Sequence, residues 1–113
     1  MSSEATVSVA LSEVAEGKMH ALTVGGRELL ICRTKEGIYA LDNICTHAYA
    51  RLSEGRLRGT RLICPLHGAA FDVRDGRVLG APAMRPLATH AVKMVGDRIE
   101  ISVSPTGAGP LAL

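Results

Sequence analysis

An all-β sandwich or barrel is the fold class this sequence predicts. Three observations carry that expectation. The chain breaks into short apolar runs, those runs are separated by glycine-based turn signals, and 113 residues suggest one domain. The composition is 47% hydrophobic with one Phe, two Tyr and no Trp, so an aliphatic core is expected. By size scaling, such a domain buries about two-thirds of its unfolded surface.

Thr6 to Ala10 alternates and reads as a strand. Leu11 to Gly17 has room for one helical turn, with Ser12 as its N-cap and Gly17 as its stop. Lys18–Val24 and Glu28–Thr34 flank Gly25-Gly26, a hairpin signal. Glu36-Gly37 turns the chain into a strand over Ile38–Asp42. Arg61–Cys64 reads as a short strand. Ala70–Val73 is expected to pair with Arg77–Leu79 across Asp75-Gly76, and Ala91–Val95 with Ile99–Val103 across Gly96-Asp97. Ser104 to Leu113, with two Pro, two Gly and no charge, reads as a floppy tail.

The segment between these β regions carries Cys45-Thr46-His47 and Cys64-Pro65-Leu66-His67. The pattern is C-x-H, sixteen residues, then C-x2-H. Soft thiolates and imidazoles on two short loops form a metal-ligating set. Cys2His2 also suits structural zinc, but zinc sites typically open with cysteines two to four residues apart, and none here are so placed. The third cysteine, Cys32, lies in the apolar run Leu29-Leu30-Ile31-Cys32 and reads as a small core residue, so no disulfide is expected.

The strings Cys45-Thr46-His47-Ala48-Tyr49-Ala50 and Cys64-Pro65-Leu66-His67-Gly68-Ala69-Ala70-Phe71-Asp72, with Gly76 to Pro82 after them, resemble Rieske-type ferredoxins such as those of bacterial aromatic-ring-hydroxylating dioxygenase systems. The resemblance runs from about Val7 to Val103. It implies one [2Fe–2S] cluster in which two His replace two Cys on one iron. Cys45 and Cys64 would hold the inner iron, and His47 and His67 the outer one. It implies an antiparallel β sandwich or barrel over 1–104, a smaller inserted cluster-binding subdomain over about 43–82, and a tail over 105–113. Pro65 would stiffen the second loop, and Gly68 would let backbone N–H groups approach the cluster sulfurs. Pro82 and Pro86 would bracket a covering segment. High-potential members carry a further cysteine in each ligand loop. Here those positions are Ala50 and Leu66, which cannot form their disulfide. Those members also use serine and tyrosine hydroxyls where this chain has Ala69 and Phe71, so a potential near the low end is expected.

By the same resemblance, the expected role is one-electron transfer. Electrons would pass from an NAD(P)H-dependent flavoprotein reductase to a terminal oxygenase, with the carrier monomeric and not itself an enzyme. The alternative is the small subunit of an assimilatory nitrite reductase. Other classes find little support. A net charge of +2 and few aromatics argue against nucleic acid. Met1 to Ala5 is not the basic start of a signal peptide, and no apolar stretch approaches eighteen residues, so a cytoplasmic location is expected. Gly25-Gly26 lacks the further glycine and lysine of a phosphate loop. His20 and His90 are marked by no motif that would join them to a carboxylate around an open iron position. Arg51, Arg56, Arg58 and Arg61 crowd the inter-loop segment. They are either an ordinary solvated face or a basic rim steering an acidic partner.

Overall fold

A computed structural model describes residues 5–46, 50–66, 68–81, 83 and 85–103. Among the described residues, ten strands form two antiparallel sheets. They are β1 (Ala5–Ala10), β2 (Met19–Val24), β3 (Arg27–Arg33), β4 (Ile38–Asp42), β5 (Arg56–Arg58), β6 (Arg61–Ile63), β7 (Ala70–Asp72), β8 (Val78–Gly80), β9 (Thr89–Val95) and β10 (Arg98–Val103). The larger sheet has the order β1-β10-β9-β4-β3-β2, and the smaller is the meander β5-β6-β7-β8. The smaller sheet lies in the chain between β4 and β9, which pair directly, Ala40 with His90 and Leu41 with Thr89.

The expected hairpins form. Gly25 and Gly26 take φ of 57° and 84°, the positive pair that a two-residue turn between twisted strands requires. β2 and β3 then pair from Val24–Arg27 through to Met19–Cys32. The run Leu29 to Cys32 is continuously apolar because β3 is covered on both faces. Leu29 and Ile31 point into a core with Val9, Ala40, Ile99 and Ile101. Leu30 and Cys32 point the other way, into a second core with Leu41, Leu52, Leu62, Phe71 and Leu87. β3 and β4 are therefore the wall shared by both cores.

Two local expectations need correction. The turn after β1 is a 3-10 turn over Leu11–Glu13; its N-cap is Ala10 with no side-chain cap, so Ser12 lies inside it. It closes at Val14, whose N–H donates to Leu11 O, and Gly17 (φ +80°) belongs to the following turn. The chain also has a 3-10 turn at Leu52–Glu54 and the strand β5, where the sequence offered one leucine between arginines. The expected tail lies outside the described residues, as do Pro82 and Met84 of the covering segment.

Candidate metal centre

Each cysteine stands at the neck of a six-residue loop, and the two necks are closed in the same way. The Cys45 N–H donates to the Ala50 carbonyl at 2.9 Å, and the Cys64 N–H to the Ala69 carbonyl at 2.7 Å. The first loop grows from β4. Its base is fixed by buried Asn43, whose Oδ1 accepts from Ser53 N–H at 2.8 Å and whose Nδ2 donates to Ser53 Oγ at 3.1 Å. The Leu52 N–H adds a bond to the Asn43 carbonyl at 2.7 Å. The second loop is the turn between β6 and β7, where Leu62 pairs with Phe71 and both side chains are fully buried.

The loops converge. Cys45 and Cys64 are 4% and 2% exposed, and their thiols are in hydrogen-bond contact. Burial is the main cause that pushes the Cys64 thiol above its usual range. The Leu66 N–H, 3.4 Å from Cys64 Sγ, acts in the opposite sense by favouring the thiolate. Two thiols presented side by side from separate loops, one already accepting a backbone N–H, fit the inner half of a thiolate-held cluster. His47 and His67 lie outside the described residues, so the site is seen here through its two cysteines. Among the described residues, no group of three or more His, Cys, Asp or Glu gathers into a metal site.

Sequence reasoning missed several residues that hold the loops. Gly55 ends the 3-10 turn that follows the first loop and lies against the start of the second. A Cβ there would collide with the Ile63 carbonyl and press on Pro65 Cδ at 3.1 Å. Gly76 has φ +80°, and a Cβ on it would meet the Leu87 carbonyl. The Leu87 N–H donates to the Gly76 carbonyl at 2.8 Å, the Asp42 N–H to Ala88 O at 3.0 Å, and the Thr46 hydroxyl to Arg85 O at 2.7 Å. Residues 85–88 thus lace the first loop to the turn that follows β7. Asp72 holds that turn. Its carboxylate, 3% exposed, accepts from Arg74 N–H (2.9 Å) and Arg74 Nη2 (2.8 Å) and faces Arg77 Nη2 at 3.4 Å. The Arg74 side chain above all, with its N–H and Arg77, holds this carboxyl at about 2. Gly76 was marked only as a turn residue, and the other roles carry no sequence signal because each depends on how the chain folds back on itself.

Other expectations find their places. Gly68 has φ +73°, which by itself favours glycine, and no described protein atom lies within 4 Å of its Cβ position. The backbone N–H seen on a cysteine sulfur is that of Leu66. Cys32 is fully buried, and burial pushes its thiol up to about 12. His20 lies 3.9 Å from Glu13, and His90 lies 2.9 Å from Asp42, which also accepts from Arg27 Nη2 at 2.9 Å. The two histidines are three strand spacings apart along one row, His20–Ile31–Ala40–His90, roughly 14 Å.

A small two-sheet β protein that offers paired Cys/His motifs from two loops belongs, by fold and site, among iron–sulfur carriers. The chain belongs to the Rieske [2Fe-2S] domain family, whose sequence model matches residues 4–91, and its cofactor is one [2Fe–2S] cluster. It is 46% identical over 96 residues to the ferredoxin component of the naphthalene 1,2-dioxygenase system of Pseudomonas aeruginosa, covering 85% of this chain and 92% of that one. A chain in the complex of reduced oxygenase and oxidized ferredoxin of carbazole 1,9a-dioxygenase superposes with a TM-score of 0.83 at 32% identity, covering 88% of this chain and 94% of that one. A Mycobacterium tuberculosis chain described as a "putative NADH-dependent nitrite reductase small subunit" gives a TM-score of 0.77 at 17% identity, covering 90% of this chain and 97% of that one, a likeness of fold alone. No helix among the described residues is long and apolar enough to cross a membrane.

Proposed function

We propose that this protein is the ferredoxin component of an aromatic-ring dioxygenase system. It takes electrons one at a time from an NAD(P)H-dependent flavoprotein reductase and delivers them to a terminal Rieske non-haem iron oxygenase. The observation that carries this reading is the convergence of two identically closed loops on Cys45 and Cys64, in a chain that spans most of a dioxygenase ferredoxin. In this reading Cys45 and Cys64 hold the inner iron, and His47 and His67 the outer one. The [2Fe–2S] cluster supplies one-electron chemistry when bound. The chain fixes the two thiolates, excludes water with Leu52, Leu62, Phe71 and Leu87, and donates the Leu66 N–H to Cys64. Residues 43–82 are the cluster-binding subdomain within a single domain over 1–104, a division supported by the separate sheet β5–β8. The carrier is monomeric, cytoplasmic and not itself a catalyst. A nitrite reductase subunit is the weaker reading, since that likeness is one of fold alone.

The test is purification followed by metal analysis and reconstitution. The protein should be red-brown, hold two irons and two acid-labile sulfides, and pass electrons from an NAD(P)H-oxidising flavoprotein to a dioxygenase. A colourless protein with stoichiometric zinc would refute the cluster, and obligate co-purification with one large enzyme would refute the shuttle. The ligand assignment has its own check. His47→Cys or His67→Cys should lower the potential or lose the cluster, because a thiolate adds negative charge that opposes reduction. An unchanged potential in a variant that keeps its cluster would remove that histidine from the ligand set.

A further inference from the structure

The charge of this chain is unevenly distributed. Residues 56–80 contain five arginines and two aspartates, with no lysine or glutamate, a formal +3. Residues 1–55 carry five basic against seven acidic side chains, a formal −2. The excess of positive charge therefore lies on the small sheet.

Ion pairing divides the arginines of this region. Arg74 and Arg77 are engaged by Asp72, and Arg51 by Glu28 at 2.6 Å. Arg56, Arg58 and Arg61 are exposed and form no ion pair among the described residues. Leu57 and Leu62 turn into the core, so Arg56, Arg58 and Arg61 leave the opposite face of the β5–β6 hairpin, with the Arg61 guanidinium reaching over β7 towards Gly80 of β8. Arg58 stands directly opposite Arg61 in the β5–β6 ladder, and Arg61 has Asp72 opposite it on its β7 side, so Arg58 is the charge that no ladder neighbour offsets. Like charges at opposed positions destabilise a strand pair. Shielding a three-residue edge strand calls for a charge on that edge, and does not call for a second one facing it. At the other end of the hairpin Arg56 is opposite Ile63, the residue before Cys64, so the arginine face runs up to the second cysteine loop.

We propose that this face, Arg56, Arg58 and Arg61, is the docking surface for an acidic patch on the protein that donates electrons to this carrier. The inference rests on the carrier reading above. The choice of donor follows from charge. With two ferric ions, two sulfides, two thiolates and neutral imidazoles, the oxidised centre is neutral. Uptake of one electron from the donor's reduced flavin, without a proton, leaves the carrier one unit more negative. An acidic patch therefore holds the oxidised carrier more tightly than the reduced one. That order suits a donor, which must bind the oxidised form and release the reduced form. It opposes the needs of an acceptor.

The experiment compares wild type with Arg56→Glu/Arg58→Glu, and with Lys93→Glu as the same kind of charge change on the exposed side of β9. Calorimetry at low ionic strength measures binding of the oxidised, cluster-loaded protein to the flavoprotein reductase that reduces it, and to the oxygenase. The double variant should weaken reductase binding more than tenfold and oxygenase binding far less. Lys93→Glu should stay within twofold, and 0.5 M salt should erase the difference. Wild-type affinity in the double variant, equal weakening by Lys93→Glu, or a larger loss at the oxygenase would overturn the proposal. A second arm needs no partner protein. Stopped-flow oxidation of the dithionite-reduced protein by ferricyanide and by hexaammineruthenium(III) reports the local charge. The ratio of the two rates should fall several-fold in the double variant, and an unmoved ratio in a variant with an intact visible spectrum would refute it. If dithionite reduces the wild type but no flavoprotein does, the carrier reading fails, and the comparison of the two small oxidants still decides the charge of the face.

Discussion

The two sheets of this molecule are built to different rules. Apart from the two-pair junction of β4 with β9, the six-stranded sheet is held by long ladders: β1 and β10 pair over six residues, and β2 and β3 over six more. Its core is aliphatic and tolerant of exchange among apolar side chains. The four-stranded sheet has ladders of two or three pairs. Besides its leucine core it is held by glycines at backbone crossings, by one buried carboxylate among arginines, and by the large side chain of Phe71. The frame is specified by pattern, whereas the cluster region is specified by particular atoms at particular places. That difference predicts different responses to mutation.

The largest effect is expected at Gly55. Gly55→Ala puts a methyl group against the Ile63 carbonyl and should abolish cluster retention while leaving the far-ultraviolet signature of the frame. Iron content and circular dichroism on one sample check both halves, and a loaded Gly55→Ala protein would break the contrast between the sheets. Next comes a paired comparison. Phe71→Ala should cost about 3–5 kcal/mol, and Ile101→Val about 0.5–1.5 kcal/mol, by chemical denaturation. Phe71→Ala should also bleach the visible spectrum before the frame unfolds; coincident transitions would show that the two sheets melt as one unit.

Acid should separate the sheets as well. The Asp72 carboxyl is held at about 2, below its unfolded value near 4, so its stabilisation is complete above the unfolded value. That stabilisation is lost as pH falls from about 4 toward 2, and visible absorbance should fall across that window. Asp72→Asn should flatten that part of the acid profile and cost roughly 1–2 kcal/mol at neutral pH, the low side for charged hydrogen bonds because the Arg74 and Arg77 side chains are 45% and 61% exposed. A variant with the wild-type acid profile would remove Asp72 from this role. The smallest effect sharpens the picture rather than breaking it. Ala69 is fully buried at the neck of the second loop. Ala69→Ser adds a hydroxyl donor there and should raise the potential by roughly 40 mV, one net hydrogen bond of about 1 kcal/mol for one electron. The wild-type value should lie toward the low end of a range of about −150 to +300 mV. A potential well above zero in the wild type, or a fall on substitution, would refute this account.

What could be read from the sequence follows the same division. The Gly25-Gly26, Asp75-Gly76 and Gly96-Asp97 turns and the runs beside them predict local hairpins, and local hairpins formed. The paired motifs marked Cys45 and Cys64 because ligand chemistry leaves its trace in residue type and spacing. Gly55 left none, since its φ is ordinary and its constraint is a carbonyl eight residues away. Asp72 stood in a motif string without a role, because its role appears only once Arg74 and Arg77 fold back over it. β5 escaped notice because Arg56-Leu57-Arg58 offers one apolar side chain where a strand pattern needs several alternations. The pairing of β4 with β9 joins segments separated by the whole cluster region, and no local pattern encodes such a partnership.

That last pairing has an evolutionary side. The chain leaves the frame at Asp42 and returns at Thr89 into the neighbouring strand, so the frame asks two things of the excursion: that its ends meet and that it cover the Leu30, Cys32 and Leu41 side of β3 and β4. Closing such a loop costs only about 0.6 kcal/mol more for each doubling of its length. A frame of this kind can accept inserts of varied length and content at one point and keep its own ladders. Lineages are then free to rebuild the excursion, its loops and its outward charges, without renegotiating the architecture that carries it.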